Sequence, residues 1–185
     1  MDRHYSQERR QLDRLHRIYK PACLLVDGRE KPALLRDISS FGAGLETNQR
    51  FGIGEAIQYR WADEQFRMGK VIWSHCNRIG IENVDELNSI SSSTKTYRSV
   101  RFKGEAPVSV FADGRRYEGE LVNLAQRGVC VVSTASLRRG VLATVQIGKH
   151  SLESLTARWS SGNKTGFSLP RSLKIENMAA ILEGK

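Results

Sequence analysis

Two short stretches of the chain carry residue types that suit the binding of an anionic ligand. In the first, Arg10 and Arg14 stand four positions apart in the sequence RQLDR. Arginine combines a permanent charge, a planar face that can stack on a base and a fork of N–H donors that matches a phosphate. Two such side chains at this spacing can bracket one compact dianion, whereas lysines would supply charge alone.

The second stretch, DISSFG, places Asp37, Ser39 and Gly42 directly after an alternating apolar run. Asp and Ser at such positions often form a turn in which the side chain bonds its own backbone. Glycine permits both the turn and the close approach of a ligand. Two interpretations are therefore open, a turn that satisfies itself and a ligand site, and the upstream arginines favour the ligand site.

The composition is that of a globular protein with an excess of positive charge. The 185 residues are 39% hydrophobic and 26% charged, with a formal net charge of +9. This length suffices for one large domain or for two of about 80–90 residues. The charge implies attraction to polyanions or phosphorylated ligands, although residues 1–20 hold much of it and an ordinary solvated basic tail would also explain it.

Several classes of protein are disfavoured by what the sequence lacks. No stretch approaches the roughly 20 apolar residues of a membrane span, and the N-terminus lacks the apolar core of a secretory signal, so we expect a cytoplasmic protein. Cys23, Cys76 and Cys130 are far apart and the histidines are isolated, so neither a disulfide framework nor a metal site is expected. Without a nucleophile motif, P-loop or dinucleotide fingerprint, we expect no enzyme and no cofactor.

The chain repeats itself at a spacing of 86 residues. Residues 21–80 align with residues 107–166 without a gap and share 11 identities. The identities include turn glycines, a DGR turn and a W-S-x-x-N-x-x-G pattern that ends each copy. Because backbone geometry demands particular residues at these positions, we interpret the chain as a duplicated domain.

Each copy has the pattern of a small antiparallel β-barrel. Short apolar runs end in Asp-Gly, a dipeptide that supports a tight hairpin because both positions tolerate positive φ. Further strands follow at regular short intervals. The predicted strands are 21–26, 33–38, 43–47, 55–61, 66–74 and 78–83 in the first copy, and 107–112, 118–124, 129–133, 141–147, 152–160 and 164–169 in the second. The predicted fold class is all-β, with two tandem six-stranded antiparallel barrels.

Two further features bear on packing. The segment 172–182 places its apolar residues near one helical face and predicts a short C-terminal helix on the second barrel. Trp73 and Trp159 recur at the end of an apolar strand, so we expect them to pack in the core or as a barrel lid rather than against a ligand.

Together, R-x-x-x-R at Arg10 and Arg14 and D-x-S-x-x-G at Asp37, Ser39 and Gly42 resemble the signature of the PilZ domain, the bacterial receptor module for cyclic di-GMP. Both motifs stand in the right order, ahead of a barrel-like series of strands. The resemblance covers residues 8–83 well and residues 97–170 more loosely. It implies a tandem PilZ protein whose ligand is cyclic di-GMP.

The resemblance also implies roles for these residues. Arg10 and Arg14 would belong to a flexible segment that closes over the ligand and contacts its phosphates and guanines. Asp37 would accept hydrogen bonds from guanine N1–H and N2–H₂, and Ser39 would bond a phosphate or a base edge. Gly42 would permit close approach of the ligand. Arg9 is a neighbouring alternative whose role the sequence leaves open.

The second copy departs from the signature. Its turn keeps the glycine, as Gly128, and has Asn123 at the first position, where the family also accepts asparagine. Ala125, which has no hydroxyl, replaces the serine. Upstream, Arg98 and Arg101 have one residue too few between them. We therefore expect a degenerate barrel that is structural or binds a partner protein.

These features predict a particular division of the chain. Its parts are a basic switch segment at 1–20, a ligand-binding PilZ barrel at 21–84, a polar linker at 85–96, a degenerate barrel at 97–171 and a helical tail at 172–185. Ligand binding would order the switch segment and signal to a downstream protein partner. By resemblance, the outputs would be bacterial motility, exopolysaccharide synthesis, biofilm formation or virulence.

Two other functions are alternatives to the receptor. One is a protein-interaction adaptor that no longer needs the nucleotide, which the degenerate second copy favours for that barrel. The other is a basic barrel that binds nucleic acid, which would need aromatic and basic residues interleaved along one sheet face. Only residues 59–61 and 66–67 offer that pattern, so we expect no DNA or RNA partner.

Overall fold

The computed structural model describes residues 19–62, 65–84 and 99–184. The arginines of the first motif, Arg10 and Arg14, and the neighbouring Arg9 lie outside the described residues. The chain divides into two compact units between residues 98 and 99. Each unit contains a closed six-stranded antiparallel barrel, here called barrel one and barrel two. The all-β fold class and the short C-terminal helix predicted from the sequence are confirmed.

Barrel one is closed by pairing between its first and fourth strands. Its strands are β1 (Lys20–Val26), β2 (Arg29–Ile38), β3 (Gly42–Glu46), β4 (Ala56–Trp61), β5 (Arg67–His75) and β6 (Arg78–Asn83). Their order around the barrel is β1-β2-β3-β6-β5-β4, and β4 pairs back onto β1. The tight turn between β1 and β2 has positive φ at both Asp27 and Gly28, as the dipeptide predicts.

The interior of barrel one is filled by the inward-facing residues of these strands. Leu24, Leu35 and Leu45 are almost completely buried, and Tyr59 is the largest fully buried side chain. Burial of one leucine side chain contributes about 1.5–3 kcal/mol. This interior holds β2, β3 and β6 in place beside one another.

Barrel two repeats the same order of strands and adds one strand and a helix. Its elements are β7 (Arg101–Lys103), β8 (Pro107–Ala112), β9 (Arg115–Ala125), β10 (Gly128–Ser133), β11 (Leu142–Ile147), β12 (His150–Ser161), β13 (Lys164–Ser168) and α1 (Ile175–Glu183). Pairing of β9 with β10 closes the six-stranded barrel, and β7 pairs with β9 outside it. The sequence did not predict β7, because three residues with one apolar side chain carry no alternating pattern.

The helix overlaps the predicted segment 172–182 and ends one residue beyond it, at Glu183. It begins at Ile175 and buries Met178 and Ile181. Gly184, in the left-handed conformation, ends it with backbone bonds to the carbonyls of Ala180 and Ile181. Among the described residues, no helix is long and apolar enough to cross a membrane.

Two β-bulges occur at corresponding positions in the two barrels. In barrel one, Leu35 and Asp37 pair with successive residues of β3, which leaves Arg36 as the extra residue. In barrel two, the extra residue is Val122, which stands 86 positions later. A second bulge lies directly before Trp73 and, in barrel two, before Trp159. Because a bulge re-aims the side chains around it, these sites determine which residues face outward.

Candidate ligand-binding site

The D-x-S-x-x-G motif forms the turn between β2 and β3. The backbone N–H of Ser39 donates to the carbonyl of Gly42 at 2.8 Å, and Ser39 Oγ accepts a hydrogen bond from the N–H of Phe41 at 3.3 Å. The hydroxyl thus stabilises its own turn, as in the first of the two interpretations above. Its proton points to the Gly42 carbonyl across 3.5 Å, which is a weak hydrogen bond. Binding of a ligand by Ser39 stays a prediction.

Gly42 is required by the pairing of strands. A Cβ at this position would clash with the backbone carbonyl of Ile81 on β6, the strand that pairs with β3. Substitution would therefore push two strands of the barrel wall apart. This requirement accounts for the glycine without reference to a ligand.

Asp37 lies just after the bulge of β2, and its side chain is exposed. Its carboxylate rests over Gly44 of β3, where a Cβ would lie only 2.6 Å from Oδ1 and 2.7 Å from Oδ2. The side chain of Asp37 has no hydrogen bond or ion pair with any residue that the structure describes. Both carboxylate oxygens are thus available as acceptors at the surface of barrel one.

Trp73 does not pack in the core or as a lid, so the prediction for this residue is wrong. It is 44% exposed, and its indole lies on the outer wall across from Gly80, its partner on β6. A Cβ at Gly80 would occupy the position of the indole ring. Trp159 is likewise 47% exposed over Gly166 in barrel two. The bulge before each tryptophan turns it outward.

A carboxylate between two arginines lies beside Asp37. Glu46 Oε2 forms an ion pair with Arg36 at 3.0 Å and lies 3.9 Å from Nε of Arg78. Glu46 Oε1 accepts a hydrogen bond from the side-chain amide of Asn77 at 3.2 Å. The guanidinium of Arg36 also stacks on Tyr19, 4.4 Å from the ring centroid, and donates to its hydroxyl at 3.2 Å. The guanidinium of Arg36 is therefore held by two residues, Glu46 and Tyr19.

These side chains surround a cavity of about 310 Å³ on the outer wall of barrel one. Its lining residues are Tyr19, Arg36, Asp37, Gly44, Leu45, Trp73 and Arg78. The volume is at the lower end of the range for small-molecule pockets. The cavity combines cationic donors, an acceptor carboxylate and an exposed aromatic face, which are the groups that a phosphorylated, planar ligand needs.

Of the residues predicted for the site, the structure places Asp37 in the cavity and Ser39 and Gly42 in the turn that follows it. Sequence reasoning missed Arg36 and Arg78 because they belong to neither motif. The comparison of the two copies holds a signal for Arg36 and its partner Glu46, since Val122 and Val132 stand at their positions in barrel two, but it holds none for Arg78, whose counterpart is Lys164.

Asn83, which the sequence analysis also missed, ties the turn to the interior of barrel one. The hydroxyl of the buried Tyr59 donates to Asn83 Oδ1, and Asn83 Nδ2 donates to the carbonyl of Ser40 at 3.3 Å. The backbone N–H of Asn83 donates to the carbonyl of Phe41 at 2.8 Å. Burial raises the pKa of Tyr59 to about 12, which keeps the hydroxyl protonated as the donor of this chain.

The corresponding positions in barrel two carry different chemistry. There, Asn123 replaces Asp37 and Lys164 replaces Arg78, and the wall between them holds Val122, Cys130 and Val132. Burial raises the pKa of Cys130, so its thiol stays neutral. The turn carbonyl of Gln126 is bonded instead by the backbone N–H of Leu173, at 2.7 Å. Barrel two thus keeps the backbone of the site and one cation, Lys164, but has uncharged residues in place of Arg36, Asp37 and Glu46.

Within the described residues, no group of three or more His, Cys, Asp or Glu side chains is arranged to hold a metal ion. No protein-family model matches the chain. No curated protein matches it either.

Several solved structures are similar in fold. PlzA of Borreliella burgdorferi, solved in complex with c-di-GMP, is 10% identical, with 98% of this chain and 96% of that chain covered and a TM-score of 0.40. The inhibitor of motility MotI of Bacillus subtilis is 11% identical, with 90% and 94% covered and a TM-score of 0.39. YcgR of Escherichia coli, in complex with c-di-GMP, is 14% identical, with 88% and 82% covered and a TM-score of 0.34. Similarity at this level supports no statement about the ligand of this chain.

Proposed function

We propose that barrel one is a PilZ-type receptor domain for cyclic di-GMP and that the chain is a bacterial, cytoplasmic effector without catalytic activity. The observation that carries the proposal is the free carboxylate of Asp37, which follows the strand bulge and opens into the cavity beside the D-x-S-x-x-G turn. A carboxylate complements the N1–H and N2–H₂ donor pair of guanine. The exposed face of Trp73 supplies a surface on which a base can stack.

Arg10 and Arg14 complete the proposed site. Cyclic di-GMP carries two phosphates, and the cavity by itself offers two arginines whose charge is balanced by Glu46 and Asp37. Further cations are therefore needed for the second phosphate, and R-x-x-x-R supplies them from the segment that precedes β1. Ordering of this segment on the ligand would be the signal that a downstream protein partner reads, with motility, exopolysaccharide or biofilm formation as outputs.

Calorimetric titration of cyclic di-GMP into the full chain tests the proposal. We expect saturable binding at micromolar ligand, and its loss in the Arg10→Ala/Arg14→Ala variant. Arg138→Ala/Arg139→Ala is the matched control, because it removes the same charge from an exposed loop of barrel two. Absence of binding to the unaltered chain would refute the receptor. Equal binding by the Arg10→Ala/Arg14→Ala variant would refute the site.

Barrel two has a different proposed role, that of a nucleotide-independent adaptor that binds the partner protein. Val122 and Val132 replace Arg36 and Glu46 of barrel one, and Cys130 replaces Gly44. If this assignment is right, Asn123→Ala leaves the ligand stoichiometry and affinity unchanged in the same titration. A drop in stoichiometry would show instead that barrel two holds ligand.

A further inference from the structure

Arg78 has unused capacity for an anion in the wall cavity of barrel one. Its side chain is 53% exposed, and its Nε lies 3.9 Å from Glu46, beyond hydrogen-bond distance. Among the described residues, the two terminal nitrogens of its guanidinium have no hydrogen-bond partner. Those nitrogens form the fork that matches two oxygens of one phosphate.

Arg36 has a different task in the same cavity. Its side chain is 24% exposed and its guanidinium is occupied by Glu46 and Tyr19. Arg36 neutralises the negative charge of Glu46, so the positive charge of Arg78 is not neutralised by that carboxylate. The group of Arg36, Glu46 and Arg78 thus carries one net positive charge, with Glu46 between the two arginines.

The cavity has room for part of a cyclic dinucleotide. Its volume of about 310 Å³ is at the lower end of the range for pockets that bind a small molecule, so we assign it to one half of that ligand. Trp73, Asp37 and Arg78 all line the cavity, so a base and its phosphate could be bound together. Among the bases, guanine offers a carboxylate two adjacent N–H donors on one edge.

We propose that Arg78, beside the ion pair of Arg36 and Glu46 on the wall of barrel one, forms a subsite that binds one guanine mononucleotide unit without help from Arg10 and Arg14. The inference deepens the proposed function, since this unit would be one half of the cyclic ligand. The guanine edge is read by Asp37, the base stacks on Trp73 and the phosphate is bound by Arg78. The N-terminal arginines then act on the other half of the ligand.

GMP, AMP and guanosine are the probes that test the subsite in the full chain. Binding is followed by calorimetry and by quenching of tryptophan fluorescence. We expect saturable binding of GMP below about 10 mM, at least about tenfold tighter than binding of AMP. The Arg10→Ala/Arg14→Ala variant should keep this affinity for GMP. Equal binding of AMP and GMP, or loss of GMP binding in that variant, would overturn the inference.

Variants of the arginine group locate the phosphate. Arg78→Ala should weaken GMP by about tenfold or more and leave guanosine unchanged, because guanosine lacks the phosphate. Glu46→Gln removes the negative charge beside Arg78, so it should strengthen the binding of GMP and leave guanosine unchanged, whereas a structural loss would weaken GMP and guanosine alike. Lys164→Ala, at the corresponding position of barrel two, is the matched control. Unchanged GMP affinity in Arg78→Ala would overturn the inference.

Failure of the subsite and failure of the proposed function give different results. If cyclic di-GMP binds and Arg78→Ala has no effect on it or on GMP, the receptor stands and the subsite is refuted. If GMP binds in the predicted manner and cyclic di-GMP does not bind, the subsite stands and the receptor is refuted. If neither nucleotide binds, both are refuted.

Discussion

The hydroxyl of Tyr59, in the interior of barrel one, donates a hydrogen bond of 2.5 Å to Oδ1 of Asn83. This bond orients the amide so that its nitrogen faces the carbonyl of Ser40 in the β2–β3 turn. The core of the barrel is thereby connected through two side chains to the turn that adjoins the cavity. Barrel two has Val145 and Leu169 at the corresponding positions and bonds its turn differently.

Tyr59→Phe should loosen this turn without emptying the core, because it removes only the hydroxyl. We expect the free energy of unfolding of barrel one to fall by about 0.5–1.5 kcal/mol, the usual contribution of one hydrogen bond. Amide hydrogen exchange at residues 39–42 should accelerate. Tyr117→Phe in barrel two is the control, and protection of residues 39–42 equal to that of the unaltered chain would contradict the proposed connection.

Barrel one should lose stability in alkaline solution. Burial raises the pKa of Tyr59 from 10 to about 12 and that of the Cys23 thiol from 9 to about 12. Between pH 9 and 12 the folded chain therefore keeps protons that the unfolded chain releases, and the free energy of unfolding falls as pH rises. Urea unfolding at a series of pH values from 8 to 11 measures this slope.

Cys23→Ala removes one of these two titrating groups, so the free energy of unfolding should fall less steeply with pH above pH 9. The matched control is Cys76→Ala, which removes an exposed thiol of the same barrel. Parallel profiles for the unaltered chain and Cys23→Ala would show that the buried thiol does not contribute.

The two motif glycines should respond differently to substitution. In Gly42→Ala the new Cβ would clash with the backbone carbonyl of Ile81, so we expect barrel one to lose about 1–3 kcal/mol through displacement of its strands. In Gly128→Ala the Cβ would lie 3.2 Å from the carbonyl oxygen of Phe167, which a small shift relieves. Differential scanning calorimetry of both variants measures the difference, and similar losses would contradict it.

Gly80→Ala should weaken ligand binding more than it weakens the fold. Its Cβ would take the place of the Trp73 indole, which is half exposed and free to turn away from the cavity. We expect about tenfold weaker binding of cyclic di-GMP, corresponding to one lost stacking contact of about 1–3 kcal/mol. Gly166→Ala displaces Trp159 in the same way and should leave binding unchanged, so equal effects would argue against a role for Trp73.

The strands could be predicted because their signals are local. The Asp-Gly turn and the apolar alternation around Leu24 and Leu35 are set by neighbours in sequence, and the structure bears them out. Trp73 was placed wrongly because one extra residue at a bulge reverses the face to which the next side chain points.

The cavity could be predicted only in part. Asp37 belongs to a motif, whereas Arg36, Glu46 and Arg78 are joined by no spacing in the sequence. They meet because β3 lies between β2 and β6 in the barrel, which is an order that alternation alone does not specify. The order of the strands in the barrel thus brings the polar network together. In the sequence, the network is indicated by the replacement of Arg36 and Glu46 with valines in the second copy.

The bulge shared by Arg36 and Val122 has a consequence for protein engineering. The bulge lies at the same position of the strand in both barrels. An arginine introduced at position 122 would therefore have the same Cα position and side-chain direction relative to barrel two as Arg36 has relative to barrel one. A second cavity of this kind could therefore be built in barrel two by exchange of the side chains at positions 122, 123, 130 and 132 alone. The result would be a biosensor with two candidate ligand-binding sites on one chain.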